Sequence, residues 1–246
     1  EPCLRDFQEK IREYEKIRSE IDQLLDRLKK EVGLSESEAI SPEQMTELEQ
    51  KLPENHRQKE KVLRQKAYAY IGRVSVEVGD VVTFPVLQVH SLQHGIRVIE
   101  FQTPHYERLI VMFAQKVLTQ NHWDTDRAMD LINTEPYRLP EPQLLIEEDG
   151  YLEERIVDFP DFSSERIRMD ENISRKFQCE GRYHLIICVK GKLRLESQSG
   201  SILELLPEEA VFLAASTSFY RITNSGADSM IFLRAVPVNA HSVKLD

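Results

Sequence analysis

The side chains best suited to chemistry gather between Val74 and Arg108, in the run VSVEVGDVVTFPVLQVHSLQHGIRVIEFQTPHYER. His90 carries an imidazole, which titrates near neutrality and binds metal ions as the neutral ring. His94 follows four residues later, but a turn signal at His94-Gly95 argues against both rings reaching one ion. Glu100 lies mid-strand in the apolar context IRVIEFQ, where a barrel-lumen position and a surface position are equally open. Arg97 and Arg108 carry guanidinium groups that can hold a phosphate through charge-assisted bonds. A solvated strand-edge role is the simpler reading for Arg97, and the two readings balance for Arg108. His105, His122 and Trp123 read as an aromatic-polar packing cluster, and NHWDTD as a helix cap, with Asp124 or Thr125 as N-cap. His184, within the core strand YHLIICV, has no second ligand near it in sequence and reads as structural.

These residues need elements to position them. Val74, Val76 and Val78 alternate with Ser75 and Glu77, the period-2 pattern of a half-buried strand. Gly79-Asp80 between two such runs is a hairpin signal, so His90 is expected just after a strand that ends at Pro85. Barrel strands are therefore expected from Val74 to about Val117. Upstream, residues 3 to about 70 read as helical. Leu4, Phe7, Ile11, Tyr14, Ile17, Ile21, Leu24, Leu28 and Val32 form an amphipathic stripe, which Gly33 ends. Arg18 interrupts the stripe as a coiled-coil seam, so it is expected to pack within the protein; dimerisation through it is the competing reading. Ser41-Pro42-Glu43-Gln44 has the form of a capping box, and Pro53 opens a third helix.

Downstream, TEPYRLPEPQ holds three prolines and reads as a linker. Six short strands then recur at about ten-residue spacing: YHLIICV, KLRLES, SILELL, AVFLA, SFYRIT and MIFLRAV. This suggests a second antiparallel barrel. The divisions are a helical region at 1–73, a barrel segment at 74–133, a linker at 134–150 and a second barrel at 151–246.

The 246 residues carry a net charge of -10, opposite in sign to a nucleic-acid footprint. No apolar run approaches the ~20 residues that span a bilayer, and the opening EPCLRDFQEK lacks the apolar core of a signal peptide. Three cysteines without a CxxC suit a reducing compartment. The expectation is a cytoplasmic protein with neither membrane nor nucleic-acid partner.

The order of helices, GDxxxxP, HxxxxG and Glu, a Pro-rich link and a second barrel resembles the type I phosphomannose isomerases. These are zinc-dependent cupins that interconvert mannose 6-phosphate and fructose 6-phosphate. In that family a run of the form GDxxxxPxGxxHA carries a zinc-binding histidine. Here Gly79, Asp80, Pro85 and His90 stand at its spacing, while Leu87 replaces the glycine and Ser91 the alanine. Gly95, Glu100 and Gln102 continue the likeness, and Tyr106 and Arg108 resemble the segment bearing the family's arginine near the sugar.

The resemblance implies a mainly β fold of two cupin-like jelly-roll barrels, with an α-helical insertion at the N-terminal side. It implies His90 as a ligand of zinc or another divalent metal, Arg108 as the catalytic-site cation and a sugar phosphate as substrate. Glu1 stands where the family's metal-binding glutamate falls; no Gln-x-His pair, its other ligand source, precedes the helices. The expected activity is aldose–ketose isomerisation. The alternative is a divergent or non-catalytic cupin that binds a sugar or another small molecule, and self-association is open to either.

Overall fold

The computed structural model describes residues 2–35, 40–92, 95–103, 108–111, 120, 122–135 and 138–238. It divides into two compact units. Among the described residues no helix is long and apolar enough to cross a membrane, and the three cysteines are free.

The first unit is helical. Helix α1 (Pro2–Glu31) carries the apolar stripe and ends at a residue that must turn left-handed. Gly33 supplies it, with φ +79. The Leu34 and Gly33 N–H groups then bond the Lys29 and Lys30 carbonyls at 2.9 and 3.1 Å, the Schellman pattern. Helix α2 (Pro42–Gln50) starts at the expected box: Ser41 Oγ accepts from the Gln44 N–H, and Gln44 Oε1 accepts from the Ser41 N–H. Helix α3 (Glu54–Tyr68) and the short α4 (Thr125–Leu131) complete the set. Tyr14, Ile17, Ile21 and Leu25 of α1 pack with Leu48, Leu52 and Leu63, while Phe7 and Ile11 pack with Ala67, Ala128 and Met129. The stripe is thus covered by the chain's own helices, with only Val32 at its end exposed. Arg18, which breaks the stripe, is buried beside Asp22 with a 2.6 Å contact. Tyr14 donates its hydroxyl proton to buried Glu60 at 3.0 Å.

The second unit holds both sheets. Its strands are β1 (Gln143–Glu148), β2 (Tyr151–Asp158), β3 (Phe162–Met169), β4 (Ser174–Gln178) and β5 (His184–Lys190). β6 (Leu193–Ser197), β7 (Ile202–Leu205), β8 (Ala210–Leu213), β9 (Phe219–Asn224) and β10 (Met230–Pro237) follow. One sheet runs β1-β2-β3-β10-β5-β8 and the other β4-β9-β6-β7, with every pairing antiparallel. Ile167, Met169, Ile186, Cys188, Met230 and Phe232 of the first meet Phe177, Leu193, Leu195, Leu205, Tyr220 and Ile222 of the second in one core. The six strands expected after Tyr183 all form. β2 to β4 lie within the barrel expected at 151–246, though no segment was singled out for them, and β1 arises inside the stretch read as linker.

The region from Val74 to Val117 departs from its expectation. Its described residues contain no strand; their one ladder contact is the isolated bridge Gln88–Asn133. Val74, Val78 and Val98 are exposed, so period-2 alternation here does not bury a face. Alternation is a statement about two faces, and it becomes a strand only where a partner edge accepts the backbone groups.

Candidate functional site

The approach to His90 is built by a turn. The Gln88 N–H bonds the Pro85 carbonyl at 3.1 Å, closing a four-residue β-turn. Its third residue, Leu87, has φ +67, the feature of a type II turn that normally selects glycine. The Asn133 N–H anchors the turn on the Leu87 carbonyl at 3.0 Å. Leu87 is also the position at which the phosphomannose isomerase motif has glycine. Leu87 adopts this left-handed conformation with a side chain, which costs about 1–2 kcal/mol relative to glycine.

Beyond the turn, His90 is exposed and stacks on Phe84, with ring centroids 3.9 Å apart. Its Nδ1 lies 2.8 Å from the Gln88 carbonyl oxygen. A carbonyl can only accept, so Nδ1 carries a proton, and a neutral ring held this way has its lone pair on Nε2. This is the tautomer of a metal-binding histidine oriented by a backbone carbonyl.

Glu1, His94, His105 and Tyr106 lie outside the described residues. Arg108 and Glu100 are exposed. Arg97 pairs with Glu208 at 2.5 Å instead of offering an empty guanidinium. A zinc centre takes three or four protein ligands. Among the described residues no group of three His, Cys, Asp or Glu side chains could hold a metal ion. His90 fits as one ligand, and the described residues do not complete the set.

The jelly-roll interior contains a polar cluster that the sequence reading passed over. Arg234 on β10 contacts Glu153 of β2 at 2.9 Å and Glu165 of β3 at 3.4 Å. All three side chains are at least 85% buried, with 15%, 9% and 5% exposure. The guanidinium also lies over the Phe177 ring, 4.9 Å from its centroid. Tyr151 donates to Glu153, and Ser163 donates to Glu165 at 3.1 Å. The Tyr220 hydroxyl lies 2.8 Å from His184 Nδ1, and the other nitrogen of that ring is Nε2. That nitrogen is buried and has no partner. Burial, then the nearby Arg234 and Arg182 charges, holds the His184 imidazole down to about 4, so it is neutral at physiological pH.

The signal for this cluster was parity. Arg234 shares its face of β10 with Met230 and Phe232, and Glu165 shares its face of β3 with Ile167 and Met169. A charge on the apolar parity of a core strand is a buried charge in need of a partner.

Comparison with protein-family models and with curated proteins returned no match. Part of the chain is similar to solved structures. One is KdgF from Halomonas sp., at 18% identity and TM-score 0.35 over 40% of this chain and 88% of that one. A second is the polyketide cyclase RemF from Streptomyces resistomycificus, at 17% and 0.36 over 43% and 81%. A third is a sugar phosphate isomerase from a cupin superfamily, from Silicibacter pomeroyi, at 15% and 0.33 over 40% and 71%. The fold rests instead on strand order: β3-β10-β5-β8 facing β4-β9-β6-β7 is the eight-stranded double-sheet jelly roll that cupins share.

Proposed function

We propose that this chain serves aldose–ketose isomerisation of a sugar phosphate, of the phosphomannose isomerase type, with zinc or another divalent metal as cofactor. The observation that carries this is the loop before His90. Gly79, Asp80, Pro85 and His90 stand at the motif's spacing. Leu87 holds the positive φ of the missing glycine, and the His90 tautomer leaves Nε2 for a ligand. In this reading Glu1 is a second ligand, Arg108 a cation for the substrate's phosphate, and the cytoplasm the compartment.

The test is elemental analysis of the purified chain, paired with a coupled assay converting mannose 6-phosphate to fructose 6-phosphate. Bound metal and turnover are expected. His90→Ala should fold normally, because the ring is exposed, yet lose metal affinity about tenfold or more. Metal content that does not respond to this substitution counts against the reading.

A second reading is a cupin that binds a neutral sugar or another small molecule without metal chemistry. It is favoured by the jelly-roll interior, where two arginines, Arg155 and Arg234, balance Glu153 and Glu165. There His184 Nε2 is buried without a partner, and the neutral ring suits an uncharged hydroxyl. Sugar binding by metal-free protein, unchanged in His90→Ala and lost in His184→Phe, would select it.

A further inference from the structure

An antiparallel sheet with one face in water alternates apolar-in with polar-out, whereas strands covered on both faces read as nearly continuous apolar runs. The outer face of β4-β9-β6-β7 follows the first rule, with Lys176, Arg194, Glu196, Glu204 and Arg221 all exposed. The larger sheet breaks it at β5, whose sequence is HLIICVK. Between the core positions His184, Ile186 and Cys188, β5 turns Leu185, Ile187 and Val189 outward. On β8, Phe212 lies opposite Leu185 and Ala210 opposite Ile187. On β10, Ala235 and Leu233 flank the same two residues from the other side. The Tyr183 ring, just ahead of β5, lies 5.5 Å from that of Phe212. None of these outward side chains is charged. Exposure rises across the face: Ala235 is 5% exposed, Leu185 and Val189 37%, Tyr183 40% and Phe212 60%.

Three properties select what covers the β5–β8 margin. The first is area. These fractions leave on the order of 400 Å² of apolar surface open, the size of a monomer's largest and often functional patch. At the ~65% apolar share of homodimer interfaces, that corresponds to roughly 600 Å² per partner and about 1,200 Å² in all, the lower end for a specific complex. The second is charge. The chain carries -10, so two copies repel wherever acidic groups meet. A two-fold interface presents each patch to itself, and an uncharged apolar face is complementary to itself. The third is the edge. β8 ends its sheet and is four residues long, and so short an edge strand disfavours ladder pairing between copies. Contact then falls to the face of the sheet.

We propose that the outer face of β5 and β8 is a homodimer interface, packed on the same face of a second copy about a two-fold axis. None of these residues belongs to the His90 motif, so the interface stands or falls independently of the isomerase reading. Sedimentation velocity of the full chain should show a monomer–dimer equilibrium with Kd of about 10 μM or tighter. Salt at about 1 M should leave it intact or tighten it, because it screens the repulsion between like-charged copies. Phe212→Glu and Leu185→Glu should each weaken it about tenfold or more, since each sets a charge in an apolar contact close to its own two-fold mate. Their circular dichroism should match that of the unmodified chain, because both side chains point away from the core. Ile202→Glu, on the exposed face of β7, should leave association unchanged. Hydrogen exchange of β8, which needs no variant, should slow as concentration rises through the Kd. A chain that is monomeric at about 100 μM overturns the proposal. So does a dimer that both variants leave intact, or one that about 1 M salt dissociates, since a different surface or ionic contacts would then hold it. Exchange of β8 that does not respond to concentration also overturns it, because the face would then stay open or be covered by the chain itself.

Discussion

Replacing Arg234 by methionine tests what holds the jelly roll's polar interior. The substitution removes the contacts to Glu153 at 2.9 Å and Glu165 at 3.4 Å, leaving Glu153, 9% exposed, without a cation and Glu165, 5% exposed, with only Arg155 at 3.8 Å. Methionine occupies much of the same volume, so the loss is one of charge compensation more than of packing. Stranding one member of a buried ionic cluster costs about 3–5 kcal/mol. At about 4–8 °C per kcal/mol, that lowers the jelly roll's melting temperature by roughly 12–40 °C. Thermal denaturation followed by circular dichroism, with hydrogen exchange of β3 and β10, reads it directly. The triple variant Arg234→Met, Glu153→Leu, Glu165→Leu should regain most of the loss, because apolar replacement of buried ionic groups is often neutral or stabilising and the remaining Arg155 is 34% exposed with Asp158 at 4.0 Å. A single substitution costing under about 1 kcal/mol would refute this reasoning. So would a triple variant no more stable than the single one.

Two further outcomes follow from the same unit. His184 takes its proton near 6.5 when unfolded but only at about 4 in the fold. The stability of the neutral ring is therefore complete above pH 6.5 and lost as the pH falls towards 4. His184→Gln should flatten the decline in melting temperature over that interval, and an unaltered profile would assign the decline elsewhere. Gly191 has φ +84, and a Cβ there would meet the Met230 Cα at 2.9 Å, backbone that cannot step aside. Gly191→Ala should cost at least about 2 kcal/mol in urea denaturation, and a near-neutral result would show that the β5–β6 turn can relax.

Signals that act within one turn of chain were legible in the residues alone. The capping box at Ser41 and Gln44, the left-handed stop at Gly33 and the α1 stripe each depend on neighbours three or four positions away. The strands from His184 to Val236 were legible because apolar runs and turn residues alternate there at regular spacing. The Gly79-Asp80 turn signal was legible too, whereas the left-handed Leu87 before His90 carried no such signal.

What the residue order left undecided was which distant segments meet. The strands expected from Val74 onward have the alternation but, among the described residues, no partner edge. β1 to β4 have weaker local signals yet form because β3 finds β10 and β4 finds β9. Arg234 finds Glu153 across 81 positions, and His184 finds Tyr220 across 36. Sequence by itself determined periodicity, caps and turns, because those energies are local. The tertiary structure alone decided the ladder pairings and the polar cluster within them, because a buried charge is tolerable only beside a partner that folding brings from far along the chain.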